Sequence, residues 1–447
     1  MRISALIATT LCIATTLLAF DAPPLMAKPD EVAASPTGTI VLEDLASIRA
    51  AYGLSAGLTD VAKLVASPAD VGTPVWGIPL TEAELDSLDI GRRNAFAGAL
   101  ASDLVPYVRS LNTYAGVWLD QPHGGRVVVQ LTRAEEAQVA RILALEPSPS
   151  LGVDIEVVTY SRRQLEDAVR TVARGRAQLA GASAIRGVGI DTPANRLVVQ
   201  VASDEFSMAE VVRASVEKAV NVPTEVVPAP RGGDATAVCT DRDHCYNPMK
   251  GGDRIHRGSS AGQTSCTMGF MVVQGAANIE FLTAGHCASL VSGTSWYHQG
   301  YGLLGTENGS AYGEDGYDVM KVNMPDAQKS ELVYGVSGPQ DLTGARDPIT
   351  GEGVCFSGAT TEAIRCGTVT DDLWTWVSET CDCNVWGGDT NLAPIPGDSG
   401  APLYSRSYIT GATSLWRNTP IGVVDHQNGG FAWVTAAEWV LGVSAYH

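Results

Sequence analysis

The chain has 447 residues, enough for about three folded units at roughly 150 residues each, and its apolar fraction of 45% is that of globular protein. A formal net charge of -19 excludes nucleic acid as an expected partner, because phosphate binding needs a basic surface. The acidity suits solubility outside a cell.

At the N-terminus Arg2 precedes an uncharged run of apolar and small residues over 3–20, and Ala27 is a suitable cleavage point. This is the pattern of a secretory signal, 1–27. The rival reading is a membrane-spanning anchor, but the run is short for a span and no strong basic stop follows. No other segment is long and apolar enough to cross a bilayer, so no membrane contact is expected after signal removal. Residues 28–80 hold little pattern. Beyond them, Thr81-x-x-Glu84, Thr132-x-x-Glu135, Ser161-x-x-Gln164 and Ser207-x-x-Glu210 each predict a capped helix start. Between these lie β-prone runs at 116–120, 126–131, 154–160, 196–201 and 225–227.

There is an internal echo. Residues 116–132 read GVWLDQPHGGRVVVQLT and residues 187–202 read GVGIDTPANRLVVQVA. Both read as strand, Pro-containing turn, strand, followed by a helix and another strand. Two small α/β units are expected, each a three-stranded sheet with a helix on one face. His123 is the only histidine of this half and reads as a solvated turn residue.

Near residue 228 the composition changes. Residues 228–234, PAPRGGD, read as a linker. Cysteines then begin, helix signals almost stop until about 436–443, and Gly-rich short β runs predict an all-β barrel or sandwich. Cys12 lies in the signal. The remaining eight, Cys239, Cys245, Cys266, Cys287, Cys355, Cys366, Cys381 and Cys383, are an even set in an exported chain and read as disulfides. Cys381-Asp382-Cys383 is not a zinc-knuckle spacing, and no paired histidines accompany it, so no metal or cofactor is expected.

Three segments carry chemistry: LTAGHC over 282–287, GYDVMKV over 316–322, and PGDSGAPL over 396–403. A serine hydroxyl is a weak nucleophile and needs a base within reach; that base needs an anion to fix its tautomer and stabilise its charge. The candidates are Ser399, His286 and Asp318. Glycines beside Ser399 allow a tight turn in which the amides of Gly397 and Ser399 converge as an oxyanion hole.

The order His, Asp, Ser with TAGHC and GDSGAP resembles the chymotrypsin-like serine proteases, in particular the bacterial secreted branch of α-lytic protease and the streptogrisins. The segment 354–369, VCFSGATTEAIRCGTV, is similar to a disulfide-closed hairpin of that branch, which implies a Cys355–Cys366 bridge. A Cys266–Cys287 bridge would pin the loop presenting His286, and Cys239 with Cys245 would supply a further cystine. The resemblance covers about 239–447. It implies an all-β double six-stranded antiparallel barrel over 236–447, with His286 and Asp318 from the first barrel and Ser399 from the second. Residues 28–235 more loosely resemble that group's α+β pro-region, which assists folding and inhibits the enzyme until removed. The implied protein is a secreted, monomeric serine endopeptidase made as a zymogen, with protein or peptide substrates and its own pro-region as partner. The mature chain is expected to start between Ala229 and Cys239.

Departures qualify this. Many relatives carry Arg where Phe356 stands, pairing with the Asp before the nucleophile; Arg365 is a substitute partner for Asp398. Relatives have Ser then Trp or Gly where this chain has Asp425, His426 and Gln427, a stretch expected to meet substrate. Asp425 could approach Asp318, where close carboxylates would raise one pKa. His426 could sit in the specificity pocket, or be merely structural. Counting back from Ser399 puts the pocket floor near Ala393 and Pro394, without the acid that selects Lys and Arg. Cys381 and Cys383 could bridge each other or pair with Cys239 and Cys245. These departures keep a second reading open: a secreted, catalytically impaired binding protein with a protease shape.

Overall fold

The computed structural model describes residues 42–76, 78–146, 152–229, 242, 249–258, 265–275, 278–288, 293–324, 333, 340–342, 344–378, 380–409, 415–426 and 429–445. The expected signal segment, Cys239, Cys245 and Gln427 lie outside them. Among the described residues no helix is long and apolar enough to cross a membrane.

The chain enters through five helices, Leu42–Ala51, Leu58–Val65, Thr73–Trp76, Glu82–Leu88 and Ile90–Arg109. The first three occupy a stretch where the sequence shows little pattern. They are short, and what holds them is tertiary: Ile48, Tyr52, Trp76, Ile78 and Leu80 are buried in the same apolar cluster as Phe356, Leu403 and Tyr404. Thr81 forms the expected capping box with Glu84, a feature worth about 1 kcal/mol. Glu84 also pairs at 2.7 Å with the buried Arg49, tying the first helix to the fourth. Ser161 caps the helix Arg162–Gly175 in the same way.

The other two expected caps do not form. The helix after Thr132 begins only at Glu136, with Glu135 before it making no side-chain cap. The Thr132 amide instead donates to the Thr113 carbonyl at 2.7 Å, so the hairpin ladder claims that residue first. Ser207 lies inside a 3-10 turn, Ser203–Met208, that runs directly into the helix Ala209–Val220.

The internal echo is a structural repeat. Tyr114–Asp120 pairs antiparallel with Arg126–Leu131, which runs parallel to Val153–Val157. Ile185–Asp191, Arg196–Val201 and Thr224–Pro228 repeat this arrangement, down to a register irregularity before Gly116 in one hairpin and before Gly187 in the other. In each unit a helix, Glu136–Ala144 or Ala209–Val220, makes the crossover to the parallel strand. Ala229, at the edge of the expected maturation window, is buried, and its amide donates to Val201 at 2.7 Å.

The remaining chain forms the expected double barrel. In the first sheet, Met271–Gln274, Asn278–Thr283, Met320–Asn323, Gly302–Ser310, Ser295–His298, Arg254–Arg257 and Ser265–Thr267 follow one another and curl without closing. In the second, Gly353–Ser357, Ile364–Ser378, Cys383–Thr390, Gly430–Trp433, Leu415–Val424 and Pro402–Ile409 close into a six-stranded antiparallel barrel. The helix Val434–Leu441 follows, somewhat earlier than the sequence suggests.

The N-terminal and C-terminal halves share a sheet. Ile185–Asp191 adds to the edge of Ile364–Ser378, pairing Gly187 with Trp376, Val188 with Thr375 and Gly189 with Trp374. Glycine is required there: a Cβ on Gly189 would stand 2.1 Å from the Trp374 ring, and one on Gly187 2.5 Å from it. Beside this seam the buried Arg162 pairs with Asp372 at 2.9 Å. Asn94 donates to the Arg406 carbonyl at 2.9 Å and Gln121 to the Gly351 carbonyl at 2.8 Å. Gly189→Val is therefore expected to destabilise the full chain by about 2 kcal/mol or more through overpacking, read as a lowered Tm. An unchanged Tm would show that the shared sheet contributes little.

Candidate active site

The three segments singled out in the sequence meet at the seam of the barrels. His286 lies in the short turn Gly285–Ala288 that ends the strand Asn278–Thr283. Asp318 lies between Gly316–Tyr317 and Met320–Asn323, buried beside Val319. Ser399 lies in the turn before Pro402–Ile409. The His286 Nδ1 is 2.6 Å from Asp318 Oδ2, and the backbone N–H of His286 donates to Asp318 Oδ1 at 2.7 Å. Its Nε2 is 3.0 Å from Ser399 Oγ. One carboxylate thus fixes both the ring and the main chain that carries it.

The turn at Ser399 is held from both barrels. Thr267 donates its amide to the Ser399 carbonyl at 2.7 Å and its hydroxyl to the Gly397 carbonyl at 2.8 Å. From the other side the Gly400 amide donates to Val424 at 2.8 Å. Gly397 adopts φ +97°, a conformation that favours glycine. Among the described residues neither the Gly397 nor the Ser399 amide donates to a protein acceptor.

The disulfides Cys266–Cys287, Cys355–Cys366 and Cys381–Cys383 are formed. Asp398 is not served by Arg365. Its oxygens accept from the amides of Thr360 at 2.8 Å, Thr361 at 2.9 Å and Ile395 at 3.1 Å, and from the Thr361 hydroxyl. A carboxylate given this many donors has no need of the guanidinium that Phe356 displaces. Ala393 is exposed, whereas Pro394 is buried.

Two residues from the departing stretch join the site. Asp425 is buried, accepts from Trp376 Nε1 at 2.8 Å, and lies 3.9 Å from His286 Nδ1. Asp318 and Asp425 thus converge on the same His286 nitrogen, at 2.6 and 3.9 Å, the approach the sequence leaves open. His426 Nδ1 lies 2.6 Å from Ser399 Oγ, and its ring stands edge-on to His286 at 5.4 Å. This contact with Ser399 has no sequence signal, because it depends on how the chain turns after Val424.

Burial alone would push the His286 imidazole down, but the negative charge of Asp318 and Asp425 outweighs it and raises the pKa to about 9. Burial would raise Asp318, but His286 holds it below the usual carboxylate range. His426 moves the other way, down to about 4, through burial and the charge of His286. The single Ser399 proton cannot serve both rings. With His286 charged and His426 neutral, His286 Nε2–H donates to Ser399 Oγ, and the hydroxyl donates to His426 Nδ1.

The titration signs differ for the two histidines. In metal-free buffer, imidazole 15N spectra of the full chain should show His286 titrating near 9 and His426 near 4. The stability from His286 should be complete below about 6.5 and lost as pH rises through about 9; that from keeping His426 neutral should be lost as pH falls from about 6.5 to about 4. Two titrations near 6.5 would contradict the electrostatics described.

No protein-family model matches the chain. Streptogrisin-D of Streptomyces griseus is 34% identical over 178 residues, 38% of this chain and 42% of that protein. Serine protease 2 of Streptomyces fradiae is 31% identical over 175 residues, 37% of this chain and 93% of that protein. This chain thus spans nearly all of the second but less than half of the first. Among solved structures, a glutamic-acid-specific serine protease described as using a histidine triad in substrate binding aligns at TM-score 0.35 and 26% identity, over 44% of this chain and 100% of that one.

Proposed function

Since the chain belongs to the chymotrypsin-like serine proteases of bacteria, we propose that it is a secreted endopeptidase, made as a zymogen and acting through an acyl-enzyme. The observation that carries this reading is the Ser399 hydroxyl 3.0 Å from an imidazole whose other nitrogen is 2.6 Å from a buried carboxylate.

Catalysis begins with neutral His286 and a peptide in the cleft. The Ser399 proton turns from His426 to His286 Nε2 as Oγ attacks the scissile carbonyl carbon. The Gly397 and Ser399 amides receive the developing oxyanion, each donor worth about 3 kcal/mol. The tetrahedral species collapses, the C–N bond breaks, and the amine leaves with the proton from His286. Water then attacks the ester, giving its proton to His286, which returns it to Ser399 Oγ as the acyl C–O bond breaks and the product acid leaves. Asp318 holds the ring and stabilises its charged form.

Residues 28–235 act as the pro-region, folding the 236–447 domain and restraining it. The shared sheet at Gly187–Gly189 and the apolar cluster that joins Ile48 and Tyr52 to Phe356 and Leu403 support this role. Signal-dependent export follows from residues 1–27 and suits the disulfides.

A fluorophosphonate probe should label the matured protein at Ser399 and fail to label Ser399→Ala, and His286→Ala should lower kcat/KM by about 10^4-fold or more. Absence of labelling on correctly matured protein would favour the impaired binding protein instead. Residues 236–447 expressed alone should yield little active protein, with recovery when 28–235 is supplied on a separate chain. Equal yields with and without it would end the pro-region assignment.

A further inference from the structure

Ser399 Oγ lies between two imidazole nitrogens, His286 Nε2 at 3.0 Å and His426 Nδ1 at 2.6 Å. Asp425 Oδ1 lies 3.6 Å from that His426 nitrogen. One ligand atom from each of His286, Asp425 and His426 can be chosen so that all lie within 4.8 Å of one another. We propose that these three residues form a binding site for a zinc-class divalent cation that reversibly blocks the nucleophile's base.

The donor set selects the metal. Two imidazoles and one carboxylate suit Zn²⁺ and its borderline neighbours; Ca²⁺ and Mg²⁺ prefer all-oxygen shells. The outer groups are already placed. Asp318 holds His286 Nδ1 at 2.6 Å, leaving Nε2 as the ligating nitrogen, the carboxylate–histidine–metal arrangement common at zinc centres. Trp376 Nε1 holds Asp425 Oδ2 at 2.8 Å, and Oδ1 lies 3.6 Å from His426 Nδ1 and 3.9 Å from His286 Nδ1. The charge of Asp318 adds to that of Asp425 against the cation. Ser399 Oγ offers a fourth ligand.

Ligands of tetrahedral zinc stand about 3.4 Å apart, so separations of up to 4.8 Å must shorten on binding. His426, the least buried of the three, makes that movement. Metal on His286 Nε2 occupies the lone pair that must take the Ser399 proton. The consequence for activity rests on the protease reading; the binding itself does not.

Cobalt(II) reports on the site without turnover. Titrated into the full-length Ser399→Ala chain, Co²⁺ should give the visible bands of a four-coordinate ion and be displaced by ZnCl2. Adding His426→Gln, or separately Asp425→Asn, should weaken binding by more than about tenfold, the loss that even an outer-sphere change can bring. No bands, or bands unchanged in folded His426→Gln, would overturn the site. In a second arm, ZnCl2 should slow ester hydrolysis by the matured wild type at least tenfold, reversed by EDTA. His426→Gln, measured against its own metal-free rate, should change less than twofold. Equal zinc sensitivity there would overturn the blocking role. A cobalt spectrum without turnover would sink the protease reading and leave the site; turnover without a cobalt spectrum would do the reverse.

Discussion

The site depends on one short strand, Ser265–Thr267, which belongs to the first barrel but holds Ser399 of the second. Thr267 bonds to the carbonyls of Ser399 and Gly397, while its neighbour Cys266 is bridged to Cys287, next to His286. Ser399 and His286 therefore hang from adjacent residues of the same element. Catalytic geometry tolerates errors of only about half an ångström. A covalent tie beside a two-bond clamp keeps relative motion of the barrels from reaching Ser399 and His286. Thr283 reinforces the strand by donating its hydroxyl to the Thr267 carbonyl at 2.8 Å.

Charge is concentrated on this frame. Asp318 and Asp425 are both buried beside the same imidazole, and two buried carboxylates so placed require strong donors and a compensating charge. His286 supplies one compensating charge, its own amide supplies a hydrogen bond to Asp318, and Trp376 supplies another to Asp425. The same Trp376 pairs through its backbone with Gly187 in the N-terminal half. The indole that holds Asp425 thus sits on the strand where the two halves share a sheet, so assembly of that sheet and positioning of the second carboxylate depend on one element.

Motifs were legible in the sequence where chemistry needs particular residues at fixed spacing. TAGHC, GYD and GDSG mark the three groups that meet, and the hairpin echo at 116–132 and 187–202 marks a real repeat. Helix caps were legible only where nothing competed. Thr81 and Ser161 cap as expected, but Thr132 is taken by a ladder hydrogen bond and Ser207 by a 3-10 turn. The helices of residues 42–76 were not legible, because the surface that stabilises them belongs to a barrel some 300 positions later in the chain. Asp398 needed no arginine because backbone amides reach it, and such amides carry no residue identity. His426 was singled out as a residue for substrate, but its contact with Ser399 was not, because that contact follows from the path of the chain.

An acyl-enzyme cycle requires that the Ser399 oxygen become covalently bound to substrate in each turnover. Acid-quenched mixtures of the matured protein and an activated ester, analysed by peptide mass spectrometry, test it directly. The expected result is an acyl adduct on the peptide bearing Ser399, formed in a burst and decaying at the steady-state rate. Hydrolysis with no adduct, or with the acyl group on another residue, would contradict it.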